Sequence, residues 1–132
     1  MATLEEKNLT VSRQNGSLPR VPFLDIKERV LGKGYDLSIS FVDEKQAKAL
    51  NKKFRKKSYV PNTLSFSLCN IPGGRSGEIV MCLPAIRKEY KKFGMTLNKY
   101  IIYLSLHSML HLKGMQHGST MDASEAKYLS WY

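Results

Sequence analysis

A chain of 132 residues, 42% hydrophobic and 24% charged, is the size and composition of one ordinary globular domain, and it has no apolar run long enough to span a bilayer. Lys and Arg number 21 against 11 acidic residues, a formal net charge of +10, which draws polyanions through phosphate contacts and counterion release. RNA, DNA and an anionic membrane surface all fit that charge, and charge alone does not choose between them.

The charged segment Met1 to Thr10 lacks the apolar stretch of a secretory signal, which places the protein in the cytoplasm. There Cys69 and Cys82 are expected as buried small hydrophobes rather than a disulfide, and their spacing fits no zinc pattern. Arg13 to Pro22 reads as a loop broken by Gly16, Pro19 and Pro22. Phe23 to Leu31 reads as a short amphipathic helix closed by Gly32 and Gly34. In Tyr35 to Val42 the apolar residues Leu37, Ile39 and Phe41 alternate with polar ones, the period of a strand. Asp43 has N-cap character, with Gln46 three residues on. The helix it opens is expected to turn Ala47, Leu50 and Phe54 to one face and its basic residues elsewhere. Thr63 to Leu68 is a second strand, with Phe66 read as core. Ile71 to Gly77 is a turn-rich connection. Glu78 to Leu83 is a third strand, nearly all apolar and so central. Pro84 suits the start of a helix to about Phe93, with Gly94 as its stop. Thr96 can cap the next, from Leu97 to about Leu112, apolar on most sides and so expected to be the buried central helix. Asp122 to Tyr132 reads as a last short helix. The mixture gives an α+β class: a single compact domain over 1–132, a small mixed sheet packed with helices.

All three histidines of the chain fall in one segment, His107-Ser-Met-Leu-His111-Leu-Lys-Gly-Met-Gln-His117. His107 and His111 are four apart on a helix, ~40° apart around its axis, so their rings can converge on one ion. Gly114 can end the helix with a left-handed residue and turn the chain so that His117 joins them. Three histidines with an open fourth position are a usual catalytic zinc arrangement, and one Zn2+ is the expected cofactor. Nickel, copper and iron also accept imidazole. The spacing matches the metzincin pattern HExxHxxGxxH as well, but Ser108 stands where that pattern places its glutamate base, which removes the protease reading.

The histidine segment resembles the signature His-Gly-x-Leu-His-Leu-x-Gly-Tyr-Asp-His of the YbeY family of rRNA maturation endoribonucleases. Leu50-Asn-Lys-Lys-Phe-Arg55, Pro61-Asn-Thr-Leu-Ser-Phe66 and Gly77-Glu-Ile-Val-Met-Cys82 resemble further segments of that family, in family order. The resemblance implies zinc on His107, His111 and His117 and a basic cleft for single-stranded RNA. It also implies a place in 16S rRNA end processing and small-subunit quality control. The arginine matching Arg55 is implied in RNA handling or catalysis, by a forked contact to the charge of the transition state. Lys52, Lys56 and Lys57, with Lys53, are candidate contacts to backbone phosphates, and Tyr59 and Phe66 are candidate base-stacking residues. Departures are Ser108 for glycine, Met115-Gln116 for Tyr-Asp, Pro61 for Thr, Glu78 for Asp and a shortened C-terminal helix. No general base is identifiable, so the nucleophile is either a metal-activated water or the 2′-hydroxyl of the RNA. Two functions follow: a zinc-dependent endoribonuclease with rRNA or the small ribosomal subunit as partner, or a non-catalytic, zinc-containing rRNA-binding assembly factor. Neither involves a membrane, and the sequence sets no oligomeric state.

Overall fold

The computed structural model describes residues 1–68 and 74–132. The connection after the second expected strand, with Cys69, lies largely outside the described residues. The chain opens with a hairpin, β1 (Ala2–Glu6) and β2 (Leu9–Arg13), which the charge of the N-terminal segment concealed. Glu6 pairs with Leu9, so Lys7 and Asn8 form a two-residue turn, and both have positive φ. That is the primed-turn geometry that matches the twist of the flanking strands. Only Leu9 and Val11 of the hairpin are fully buried, so its apolar signal is too short to stand out among Lys and Glu.

The helix α1 (Phe23–Val30) crosses from β2 to the parallel strand β3 (Asp36–Val42). Leu37, Ile39 and Phe41 are buried as their alternation predicts. One residue of α1 is unexpected. Lys27 is 0% exposed, and its ammonium donates to the carbonyls of Lys7 (3.1 Å) and Lys33 (3.0 Å). It ties the hairpin turn to the exit of α1, and burial pushes its pKa down.

Asp43 caps α2 (Glu44–Arg55) by accepting from the Gln46 N–H at 2.8 Å. The face of α2 differs from the expected one. Ala47 and Asn51 are buried, whereas Phe54 is 56% exposed. Asn51 is held by donating its side-chain amide to the Tyr59 carbonyl, 3.0 Å away, which folds the chain back after the helix. The strands β4 (Thr63–Ser67) and β5 (Ser76–Cys82) complete a five-stranded mixed sheet in the order β1-β2-β3-β5-β4 among the described residues. β5 runs parallel to β3 and antiparallel to β4. It is buried on both faces. Ile79 and Met81 join the main core, while Val80 and Cys82 are buried outside it, on the alternate side of the strand. The expectation that this strand is central holds. Phe66 is only half-buried and packs on Phe54, ring centroids 5.1 Å apart, so the two form a satellite pair at the surface instead of core.

After β5 come α3 (Leu83–Glu89) and a 3-10 turn (Tyr90–Phe93), ended by Gly94 at φ 66°. The single helix expected here thus tightens in its last turn. Thr96 caps α4 (Leu97–Leu112) through the Lys99 N–H at 3.2 Å. Residues on every side of α4 are buried, including Ile101, Leu104, Leu106, Met109 and Leu110, so it is the central helix the composition implied. It packs against α1, against β4 and against α5 (Ser119–Leu129), which begins three residues earlier than its expected start. At Gly77 of β5 a Cβ would lie 2.5 Å from the Tyr35 Oη and 3.1 Å from the Leu112 side chain. Glycine there lets the C-terminal end of α4 sit directly on the sheet.

Candidate metal centre

His107 and His111 stack one turn apart near the end of α4. The helix stops at Lys113, and Gly114 takes φ 104°. Its N–H donates to the His111 carbonyl (2.9 Å) and the Met115 N–H donates to the Leu110 carbonyl (3.0 Å), so the last helical carbonyls are satisfied as the chain reverses. That reversal delivers His117. The ligand atoms of the three histidines all lie within 4.8 Å of one another. Ring centroids are 4.5 to 5.0 Å apart.

The hydrogen bonds orient two of the rings. His107 Nδ1 lies 2.5 Å from the Glu125 carboxylate on α5, and His111 Nδ1 lies 3.1 Å from the Met115 carbonyl. Both partners accept from Nδ1, so in the neutral rings Nδ1 carries the proton and Nε2 the lone pair. Those two Nε2 atoms are 3.2 Å apart. Two lone pairs at that distance repel, and a cation between them removes the conflict. Burial, followed by the neighbouring His107 and His117, holds the His111 imidazole below its ordinary value of 6.5, which favours the neutral ring that a metal ion needs as ligand. Two nitrogens each ~2.1 Å from a tetrahedral metal ion are ~3.4 Å apart, close to the spacing seen. The donor set therefore fits a metal such as zinc.

The histidines lie in a cleft of about 610 Å³, walled by α4 on one side and by Thr63, Leu64 and Ser65 of β4 on the other. Ser108 is 2% exposed, and its hydroxyl meets that of Thr63 at 3.0 Å. The small residue at this position lets α4 approach β4 and pins the two walls together. Arg55, at the end of α2, lines the same cleft. Lys52, Lys56 and Lys57 are exposed around that helix end, outside the cleft lining, with Lys56 in a left-handed conformation at φ 57°. Tyr59 is 53% exposed and lines an adjoining cleft, which shares Arg55, Asn62 and Thr63 with the first. Gln116, which stands where the resembled signature has Asp, is exposed. The carboxylate beside the metal site is instead Glu125, 6% exposed and on a different helix. Tyr103 also meets it, and burial together with that carboxylate pushes the Tyr103 hydroxyl pKa up.

An α+β fold whose central helix and following turn gather three imidazoles in one cleft defines a small domain with a three-histidine group that could hold a metal ion. Comparison with known proteins narrows that class. The family model described as Endoribonuclease YbeY matches residues 5–130, and the chain belongs to that family. It is 40% identical over 93 residues to the endoribonuclease YbeY of Polynucleobacter asymbioticus, covering 70% of this chain and 60% of the relative. It is 35% identical over 89 residues to that of Thiobacillus denitrificans, covering 67% of this chain and 60% of the relative. The chain thus spans about 60% of the length of the curated relatives it matches. The solution structure of TM1509 from Thermotoga maritima has the same fold, with a TM-score of 0.57 at 24% identity over 81% of this chain and 76% of that one.

Proposed function

We propose that residues 1–132 form one metal-dependent ribonuclease domain, a zinc-dependent endoribonuclease that cuts single-stranded RNA in the cytoplasm. Its place is rRNA maturation at the 16S end and quality control of the small ribosomal subunit. The observation that carries this reading is the pair of facing Nε2 atoms 3.2 Å apart, with a third histidine beside them, in a cleft that Arg55 also lines. The substrate class comes from the curated relatives, which are named endoribonucleases. The net charge of +10 suits a polyanion.

His107, His111 and His117 would hold the ion, the first two through Nε2. Bound zinc supplies an activated water and a Lewis acid for a phosphate oxygen. The protein's own groups do the rest. Glu125 and the Met115 carbonyl keep the proton on Nδ1 and the lone pair on Nε2. Arg55 presents a guanidinium fork to the phosphate as negative charge grows on it. Lys52, Lys56 and Lys57 hold flanking phosphates without reading bases. Thr63 and Ser108 keep the cleft walls at fixed separation.

The test is cleavage of single-stranded RNA by zinc-loaded wild type and by His111→Ala, each first shown to be folded by circular dichroism. The reading expects loss of cleavage in the variant, with Arg55→Ala slowed while its zinc content is unchanged. If wild type cuts no better than His111→Ala, the enzyme reading fails, and a zinc-containing rRNA-binding assembly factor is what remains. A 2′,3′-cyclic phosphate on the product would assign the attack to the RNA's own 2′-hydroxyl.

A further inference from the structure

The cleft contains an exposed aromatic ring that the chemistry above does not use. Phe93 is 56% exposed and lines the histidine cleft. It belongs to the 3-10 turn, and the left-handed Gly94 folds the chain so that its ring lies flat on Tyr100. The centroids are 5.1 Å apart and the planes differ by 15°. Tyr100 continues the stack onto Tyr103 at 6.1 Å and 17°, and Tyr103 meets His107 at 6.2 Å. Tyr100, Tyr103 and His107 are spaced three and four residues apart on α4, one above the other on a single helix face. Tyr100 is 2% exposed, and burial, with Glu89 next, raises its hydroxyl pKa to about 12, so the ring beneath Phe93 is enclosed by its neighbours. One face of Phe93 is therefore covered by a fixed partner, while more than half of the residue is open to solvent inside the cleft.

We propose that Phe93 is a stacking shelf for one nucleobase of the bound strand. The proposal rests on the RNA reading above and adds a binding subsite to it. A base laid on the open face continues an aromatic stack already assembled, at little ordering cost to the protein. Stacking on an aromatic side chain accepts any base. Phe66 is tilted 59° against Phe54, and neither it nor Tyr59 lines this cleft, so Phe93 takes the role that the sequence suggested for them. Lys92, next to Phe93, lines the adjoining cleft together with Arg55 and supplies a cation for the phosphate beside the stacked base. Tyr100 and His107 are seven residues apart on α4, ~10 Å along its axis, and Phe93 lies beyond Tyr100.

The test measures binding of zinc-loaded protein to two eight-nucleotide strands by fluorescence anisotropy. One is 2′-O-methyl oligoadenylate and the other an abasic strand of equal length and charge, both checked for integrity by gel. Wild type should prefer the base-bearing strand. Phe93→Ala and Phe93→Leu should each weaken it about tenfold while changing abasic binding less than about twofold. Phe93→Trp should retain the preference. The logarithmic salt slope should be unchanged in all three, because every phosphate-binding cation is kept. The leucine variant keeps apolar packing on Tyr100, so a loss in it is not a folding effect. Equal binding of oligoadenylate by wild type and Phe93→Ala, or equal losses on both strands, overturns the shelf while leaving the RNA reading intact. Failure of wild type to bind either strand overturns both.

Discussion

His107 is oriented by a residue that no local motif announces. Glu125 lies 18 positions away on another helix, and only the packing of α5 on α4 brings its carboxylate to Nδ1. The three histidines were legible because all lie within eleven residues around a glycine stop, a spacing whose helical geometry is calculable by hand. Their tautomers were not, since these depend on acceptors supplied by the turn at Met115 and by α5. Glu125→Ala should weaken zinc binding about 10- to 100-fold, measured by competition with a chromophoric chelator, and Glu125→Gln should lose less because its amide oxygen still accepts. Unaltered affinity in the alanine variant would leave Glu125 without an orienting role. The depressed pKa of His111 gives a second expectation. In the zinc-free protein, the unfolded chain takes up this proton at a higher pH than the folded one. The stability contribution of the group is full above about pH 6.5 and is lost as pH falls through the lower folded value. The melting temperature of zinc-free protein should therefore fall on acidification from about pH 7.5 to 5, and His111→Gln should flatten that fall. A slope identical in the two proteins would count against it.

At the scale of elements, local signals succeeded where one principle acted alone. Asp43 and Thr96 cap α2 and α4 as their side-chain chemistry predicts, and the alternation of β3 matches its burial. They failed where tertiary contacts decide. The buried face of α2 is set by Asn51 reaching the Tyr59 carbonyl, so a polar residue takes the inner position and Phe54 turns outward to Phe66. Lys27 is a buried clamp on two carbonyls, a role that its own helix segment does not signal. The hairpin of β1 and β2 depends on a Lys-Asn turn with two positive φ values, a weaker signal than Asn-Gly. Gly114 joins element to site. A Cβ there meets nothing within 4 Å, so the cost of Gly114→Ala is backbone strain alone, about 1–3 kcal/mol. Relief of that strain would move His117, so the variant should lose zinc affinity as well as stability. Chemical denaturation paired with zinc titration tests this, and a destabilised variant with wild-type affinity would show that the turn does not position His117.

The molecule as a whole combines a precise centre with a diffuse charge. The α+β class was legible from the mixture of periods, whereas the strand order, with β5 between β3 and β4, rests on long-range pairing that no single segment encodes. The excess of basic residues pointed to a polyanion but could not say which cations face the cleft. Arg55 lines it, and Lys52, Lys56 and Lys57 surround its edge of α2. Replacing those three lysines by alanine should weaken single-stranded RNA binding uniformly across sequences. It should also lower the logarithmic salt slope by about 0.7 for each phosphate no longer neutralised. An unchanged slope would place the strand elsewhere. All of this depends on one ion held by three imidazoles, and X-ray absorption of the zinc-loaded protein examines that directly. The account predicts a first shell containing three histidine nitrogens at ~2.0–2.1 Å, with a fourth light ligand and no sulfur. A shell with a sulfur neighbour, or with fewer than three imidazoles, would contradict it.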